Sequence, residues 1–178
     1  MSGQVADTKF ILDATAGFRM MWFNKHHPNC IYLDQRPECE PDIVGDFRDL
    51  KQFPNETFRL IVFDPPHIIV SKKNTSQDSS MRHMFGVLVA DTIEEDMKKA
   101  FSEFWRVLKP YGVLMFKWNT QYLQSDRLLA LAPCPPLVYQ VSASIKRKET
   151  APLRRANYGS QAKTLWFCFM KIPEEVGV

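Results

Sequence analysis

An acid, two prolines and a histidine close one apolar run of this 178-residue chain: Asp64, Pro65, Pro66 and His67, inside "RLIVFDPPHIIV". Proline fixes φ and has no N–H to give to a sheet, so a strand must stop there. A carboxylate at the end of a core strand is costly without a partner. The stretch is therefore either a polar turn or a stiffened site. Three other acids sit where apolar runs end. Asp13 opens the small-residue turn Ala14-Thr15-Ala16-Gly17. Short side chains there let a ligand approach the backbone, and Gly17 tolerates unusual φ. Asp34 ends "CIYLD", and an acid in that place can accept both hydroxyls of a ribose. Asp46 and Phe47 end "DIVGDF", where they can hold and stack on an adenine ring. Taken singly, each acid also reads as a turn or capping residue.

The elements that must position these residues alternate along the chain. Apolar runs over 9–17, 30–34, 42–47, 58–66, 112–118, 136–145 and 163–172 read as seven strands. Helices are expected over 20–26, "MMWFNKH", and over 122–131. The clearest helix is 92–108, where Met97, Ala100, Phe101, Phe104, Val107 and Leu108 recur on one face. Thr92 with Glu95 predicts a capping box at its start, and "KPYG" ends it. Repeated strand–helix units predict a doubly wound α/β sheet with helices on both faces. The last two strands, joined by a long basic loop, pair antiparallel at one edge. Ligands of such sheets lie beyond the carboxyl ends of the strands, which is where all four acids fall.

Composition bounds the class. Hydrophobic residues make up 45% and charged residues 24%, as in ordinary globular proteins. The length fits one domain, 1–178. No apolar run approaches the roughly 20 residues of a membrane span, and "MSGQVADTKF" lacks the pattern of a signal peptide. The expected compartment is the cytoplasm. Cys30, Cys39, Cys134 and Cys168 form no CxxC pair, which argues for reduced thiols and against zinc. His26 and His27 have no acid or cysteine at ligand spacing, so no metal site is expected. Trp105 and Trp118 are expected in the core. The net charge of +3 is uneven: residues 145–163 carry six Lys and Arg against one Glu. A basic segment on a nearly neutral body either is a solvated loop or faces a polyanion.

With these residues in place, the chain resembles the class I S-adenosylmethionine-dependent methyltransferases, and more narrowly the amino-methyltransferases with the signature Asp/Asn-Pro-Pro-aromatic. "ILDATAG", "YLD", "VGDF", "VFDPPH", "RVLKPYGVLMFKW" and "KTLWFCFMK" follow in the family's order over essentially the whole chain. Asp-Pro-Pro is the specific element; the rest is generic to the fold. The resemblance implies a Rossmann-like, seven-stranded, mostly parallel sheet with an antiparallel last strand. It implies S-adenosylmethionine held by Asp13, Ala14, Thr15, Ala16, Gly17, Asp34, Asp46, Phe47 and Asp64. It also implies transfer of a methyl group to an amine conjugated to a π system. Such an amine is a poor nucleophile, because its lone pair is delocalised. The family's acceptors for its N–H groups, the Asp64 carboxylate and the Pro65 carbonyl, free that pair. Pro65 and Pro66 aim the carbonyl, and His67 stacks on the target ring. Two departures stand out. The first loop, "DATAGF", has only Gly17, and histidine replaces the usual aromatic.

Adenine N6, cytosine N4 and a side-chain amide all fit that signature. If the last strand is antiparallel, the loop before it leaves the sheet on the site's side. Lys146, Arg147, Lys148, Arg154 and Arg155 of that loop, with Lys72, Lys73 and Arg82 after the fourth strand, then suit a phosphate backbone. Nucleic acid is the leading substrate, DNA or RNA, and adenine leads by family frequency. A protein amide, a small molecule, and a non-catalytic methyltransferase-like subunit stay open as alternatives. No target-recognition domain is visible. Weak specificity, action on RNA or single strands, and recognition borrowed from a partner subunit or a homo-oligomer each remain open.

Overall fold

The computed structural model describes residues 8–71, 80–121, 123–142 and 163–173. Seven strands form one sheet: β1 (Ile11–Asp13), β2 (Cys30–Asp34), β3 (Ile43–Val44), β4 (Phe58–Phe63), β7 (Leu108–Asn119), β8 (Val138–Val141) and β9 (Thr164–Met170). Their order is β3-β2-β1-β4-β7-β9-β8. β1 to β4 and β7 pair in parallel, while β9 pairs antiparallel with both β7 and β8. The chain winds outward from β1 through β3 and resumes with β4 on the other side of β1. That switch point opens a crevice between the ends of β1 and β4. A second, two-stranded parallel sheet joins β5 (Ile69–Val70) to β6 (Leu88–Val89) and braces the segment that follows Asp64 to His67.

Among the described residues the α-helices are few: α1 (Ser80–Phe85), α2 (Ile93–Val107) and α3 (Ser125–Leu129). α2 matches its periodicity, with Met97, Ala100, Phe101, Phe104 and Val107 almost fully buried. Its expected capping box is absent. Thr92 makes no cap to the backbone; its hydroxyl donates to Asp96 Oδ2 at 2.9 Å. "KPYG" does not separate helix from strand either, since β7 begins at Leu108 and carries Tyr111 at φ 59. The register against β4 shifts there, between Phe58 and Leu60.

The helix expected over 20–26 is a series of turns. Arg19 stands at φ 55, and its side chain donates to the carbonyls of Lys25 and Glu40. Trp22 is drawn the other way, to Asp13 Oδ2 at 2.6 Å. Asn24 accepts from His26 N–H at 3.0 Å. Consecutive apolar residues with no 3.6 period have no face to bury, so these side-chain tethers decide the path instead. The helix expected over 122–131 shortens to α3, and the sixth strand covers Val138–Val141 among the described residues.

The core is an aromatic cluster between sheet and α2. Phe63 stacks on Phe116 at 5.2 Å and meets Phe104 at 4.7 Å. Phe116 also touches Phe101 and Trp118. Trp118 is 1% exposed, with its indole N–H on the Leu123 carbonyl, and Trp105 packs against the cluster. All four cysteines are free thiols, and burial pushes the Cys30 thiol up to about 12. No helix of the described residues is long and apolar enough to cross a membrane.

Candidate active site

Three of the four acids at strand ends are shaped by the residue two positions on. Asp13 Oδ1 accepts from Thr15 N–H at 3.2 Å, Asp34 Oδ1 from Arg36 N–H at 3.0 Å, and Asp46 Oδ1 from Arg48 N–H at 2.8 Å. These are Asx turns, in which a short acid closes its own turn and frees the next residues from the sheet. The 13–17 loop is then stitched to its neighbours. Ala14 N–H meets the Val62 carbonyl and Ala16 N–H the Leu33 carbonyl, both at 2.9 Å. Thr15 Oγ1 accepts from Asp64 N–H at 3.0 Å, locking the first loop to the Asp-Pro-Pro turn. Gly17, at φ 49, donates to Asp34 Oδ2 at 2.7 Å. A Cβ there would stand 3.3 Å from Arg36 Nη2, so glycine serves both the backbone angle and the close approach.

The cavity at the switch point measures about 210 Å³ and is bordered by Ala14, Thr15, Asp34, Phe47, Asp64 and Pro66. Phe85 to Val89, from α1 through β6, close its other side. Of the four acids at strand ends, Asp34 and Asp64 border this cavity; Asp13 is buried beneath it and Asp46 lies outside its border. Their engagement differs from the expectation. Asp34 receives Nε and Nη2 of Arg36 at 2.8 and 3.0 Å besides two backbone N–H groups. Burial pushes Asp34 up, but the guanidinium and the N–H groups outweigh it and hold the carboxyl below its usual range. Arg36 Nη1 donates further to the carbonyls of His83 and Met84, tying β2 to the end of α1. Asp46 is likewise held by Arg48, which also reaches Asp96 at 3.0 Å. Phe47 is 4% exposed, with its ring on Phe63.

Asp64 stands one residue beyond β4. Lys117 Nζ donates to its Oδ2 at 2.8 Å. His67 Nε2 lies 3.1 Å from Oδ1, but too misaligned to complete a hydrogen bond. Among the described residues, the buried side-chain N and O atoms without a hydrogen-bond partner are Asp64 Oδ1, His67 Nδ1 and His67 Nε2. Lys117 was missed from sequence. Its signal was there, a cation alternating with Phe116 and Trp118 in an apolar strand. Arg36 and Arg48 were missed too, although Asp-X-Arg occurs at both strand ends. Arg82 falls in α1. Lys72, Lys73, Lys146, Arg147, Lys148, Arg154 and Arg155 lie outside the described residues. No cluster of three His, Cys, Asp or Glu suited to a metal occurs among the described residues.

Asp13 is 1% exposed. Burial raises its carboxyl to about 7 against the bonds from Trp22 and Thr15, and the nearby Asp64 and Asp34 add to the rise. The folded chain therefore keeps this proton at pH values where the unfolded chain has lost it. The associated stability is fully present below the ordinary carboxylate range and is lost as pH rises through about 7. The slope should appear in urea unfolding between pH 4 and 8, amount to on the order of 4 kcal/mol at most, and flatten in Asp13→Asn. An unchanged slope in that variant would reassign it to other groups.

No protein-family model matches the sequence, and no curated protein matches it. Solved structures do. The N-methyltransferase NodS from Bradyrhizobium japonicum WM9 aligns with a TM-score of 0.50 and 12% identity, over 92% of this chain and 84% of that one. The 16S rRNA (adenine(1408)-N(1))-methyltransferase from Catenulisporales acidiphilia gives 0.44 and 11%, over 93% and 88%. An rRNA methylase from Streptococcus thermophilus gives 0.44 and 11%, over 94% and 89%. The likeness to NodS is one of fold, and it supports what the sheet order above shows: a Rossmann-like, seven-stranded, mostly parallel sheet with antiparallel last strands.

Proposed function

We propose that this chain is an S-adenosylmethionine-dependent N-methyltransferase acting on an exocyclic amine of a nucleobase, with adenine N6 in DNA or RNA the first candidate. One observation carries the proposal. Asp64 Oδ1 is buried without a partner where the Asp-Pro-Pro turn borders the cavity, and both nitrogens of the neighbouring His67 ring are unpartnered too. Orphaned buried polar atoms are rare and costly, and at a strand end beside a cavity they fit a ligand's polar groups. The fold shared with an N-methyltransferase supports the same reading.

The residues suit the methyl donor. The 14–17 loop has only small side chains, and two carboxylates, Asp34 and Asp64, border the cavity. A cationic ligand gains from such a field. When bound, S-adenosylmethionine supplies an electrophilic methyl group on a sulfonium that leaves without protonation. The rest falls to the protein. Asp64 Oδ1 and the Pro65 carbonyl take the amine's N–H groups, and the two prolines hold that carbonyl still, so positioning and electrostatics lower the barrier.

At about 210 Å³ the cavity is below the roughly 300 Å³ of the smaller ligand pockets. Arg36 occupies the acceptors of Asp34 that a ribose would use. It must swing off Asp34 for the cofactor to bind in the family's manner. Arg36→Ala should therefore tighten S-adenosylmethionine binding by about tenfold, one charge-assisted bond's worth. Asp34→Ala should weaken it by at least as much. Titration calorimetry reads both, and weaker binding by Arg36→Ala would mean that the guanidinium helps to hold the cofactor. The same Arg36–Asp34 pairing favours one second reading, a methyltransferase-like subunit that does not bind the cofactor. Absence of heat with wild type and Arg36→Ala alike would select it.

Nucleic acid is the proposed partner. β8 is antiparallel to β9, which is antiparallel to β7, so β8 runs with β4 toward the site's side. Ser142 and Lys163, which flank the basic segment, are pinned there by Thr164 and Thr120. The test is incubation with methyl-labelled S-adenosylmethionine and, separately, duplex DNA, single-stranded DNA and RNA, followed by mass spectrometry of the nucleosides. Methyladenosine in one pool is the expected result. Label in no pool despite cofactor binding would move the acceptor to a protein amide or a small molecule.

A further inference from the structure

We infer that the Arg48 guanidinium, and not Asp46 or Phe47, is the group that meets the adenine ring of the cofactor. The assignment rests on the S-adenosylmethionine reading and deepens it, by naming the residue of this chain that holds the purine. Three observations converge. Arg48 borders the switch-point cavity, whereas Asp46 does not. Phe47 borders it too but is 4% exposed, with its ring 5.1 Å from that of Phe63, so it has almost no face to offer a base. The acceptors of Asp46 are already filled. Its Oδ1 takes Arg48 N–H at 2.8 Å and Nε at 2.9 Å, and its Oδ2 takes Nε at 3.0 Å and Nη2 at 2.7 Å. A carboxylate has about four such places, so none is left to read an exocyclic amine.

The guanidinium is fixed in its plane. Asp46 binds the Nε–Nη2 edge, Asp96 Oδ1 lies 3.0 Å from Nη1, and the central carbon stands 5.3 Å from the middle of the Phe47 ring. With these edges taken and one face over Phe47, the opposite face is what remains for a ligand. A planar, delocalised cation stacks on an aromatic ring. Because two carboxylates hold the plane in advance, little side-chain freedom is lost when a base settles on it. The same two acids offset the charge of Arg48, so a cationic sulfonium ligand is not repelled. Contact through a face senses the flat surface of a purine and is indifferent to its 6-amino group.

Arg48→Lys separates stacking from a merely structural role. Lysine keeps a cation between Asp46 and Asp96 but has no flat face. In urea its unfolding midpoint should stay close to that of wild type. In titration calorimetry its binding of S-adenosylmethionine should weaken by about five- to thirtyfold. Binding equal to wild type overturns the assignment. A second measurement needs no variant, and so decides even where Arg48→Lys is unstable. Wild type should bind S-adenosylhomocysteine and its inosine analogue, in which a carbonyl replaces the 6-amino group, within about tenfold of each other. A larger loss with the analogue is what a hydrogen bond from the amine to a charged acceptor would give, and it overturns the assignment. In either failure the cofactor still binds, so the methyltransferase reading stands. Absence of binding by wild type and Arg36→Ala alike overturns both.

Discussion

Asp64→Ala is expected to lower methyl transfer by about 10²- to 10³-fold, the range seen when one preorganised hydrogen-bonding group is removed from a reaction centre (about 2.7–4 kcal/mol). Three features meet at this residue. Oδ1 faces the site without a partner, Oδ2 takes Lys117, and the backbone N–H is held by Thr15. Alanine deletes the first two and keeps the third, so the loop and the strand end stay in place. Lys117 loses its counter-ion, but its side chain is 26% exposed and can be solvated. The variant should therefore fold, bind cofactor within about tenfold of wild type, and fail in turnover. Single-turnover assays beside calorimetry make that split visible. Wild-type turnover by Asp64→Ala would remove the chemistry from this turn altogether. Lys117→Met, which frees Oδ2 but leaves Oδ1, should cost less.

Phe116→Ala should be the most damaging core substitution, at about 3–5 kcal/mol. Phe116 is fully buried and touches Phe63, Phe101, Trp118 and Phe167. No small neighbour can collapse into the space its ring leaves. Set against a typical total of about 5–15 kcal/mol, the loss brings the chain close to unfolding at ambient temperature. The site would feel it early, because Phe63 stacks on Phe116 and immediately precedes Asp64. Urea unfolding of Phe116→Ala and the milder Phe116→Leu gives the magnitudes. A loss below about 1 kcal/mol, the scale of a conservative swap, would show that the ring cluster is not the centre of the core.

These effects trace to features of very different visibility in the sequence. The α2 face was readable because helical periodicity repeats every few residues, and Met97 to Val107 lie where it put them. The strand ends were readable because proline and Asx chemistry act within two or three residues of themselves. The stretch 20–26 misled, since its apolar residues suggested a helix while the contacts that bend it, Trp22 with Asp13 and Arg19 with Glu40, cross the fold. Thr92 misled for a similar reason. Its hydroxyl found Asp96, an acid already drawn in by Arg48 from another element.

Local chemistry was thus enough to name the acids and the strands they end, because each depends on near neighbours along the chain. It was not enough to say what those acids touch. Lys117 reaches Asp64 across 53 residues, and Arg36 reaches the α1 carbonyls across 47 and 48. Such pairings exist only once parallel strands lie side by side and a crossover folds back over the crevice. Packing, not pattern, therefore set which oxygen of Asp64 is occupied and which is open.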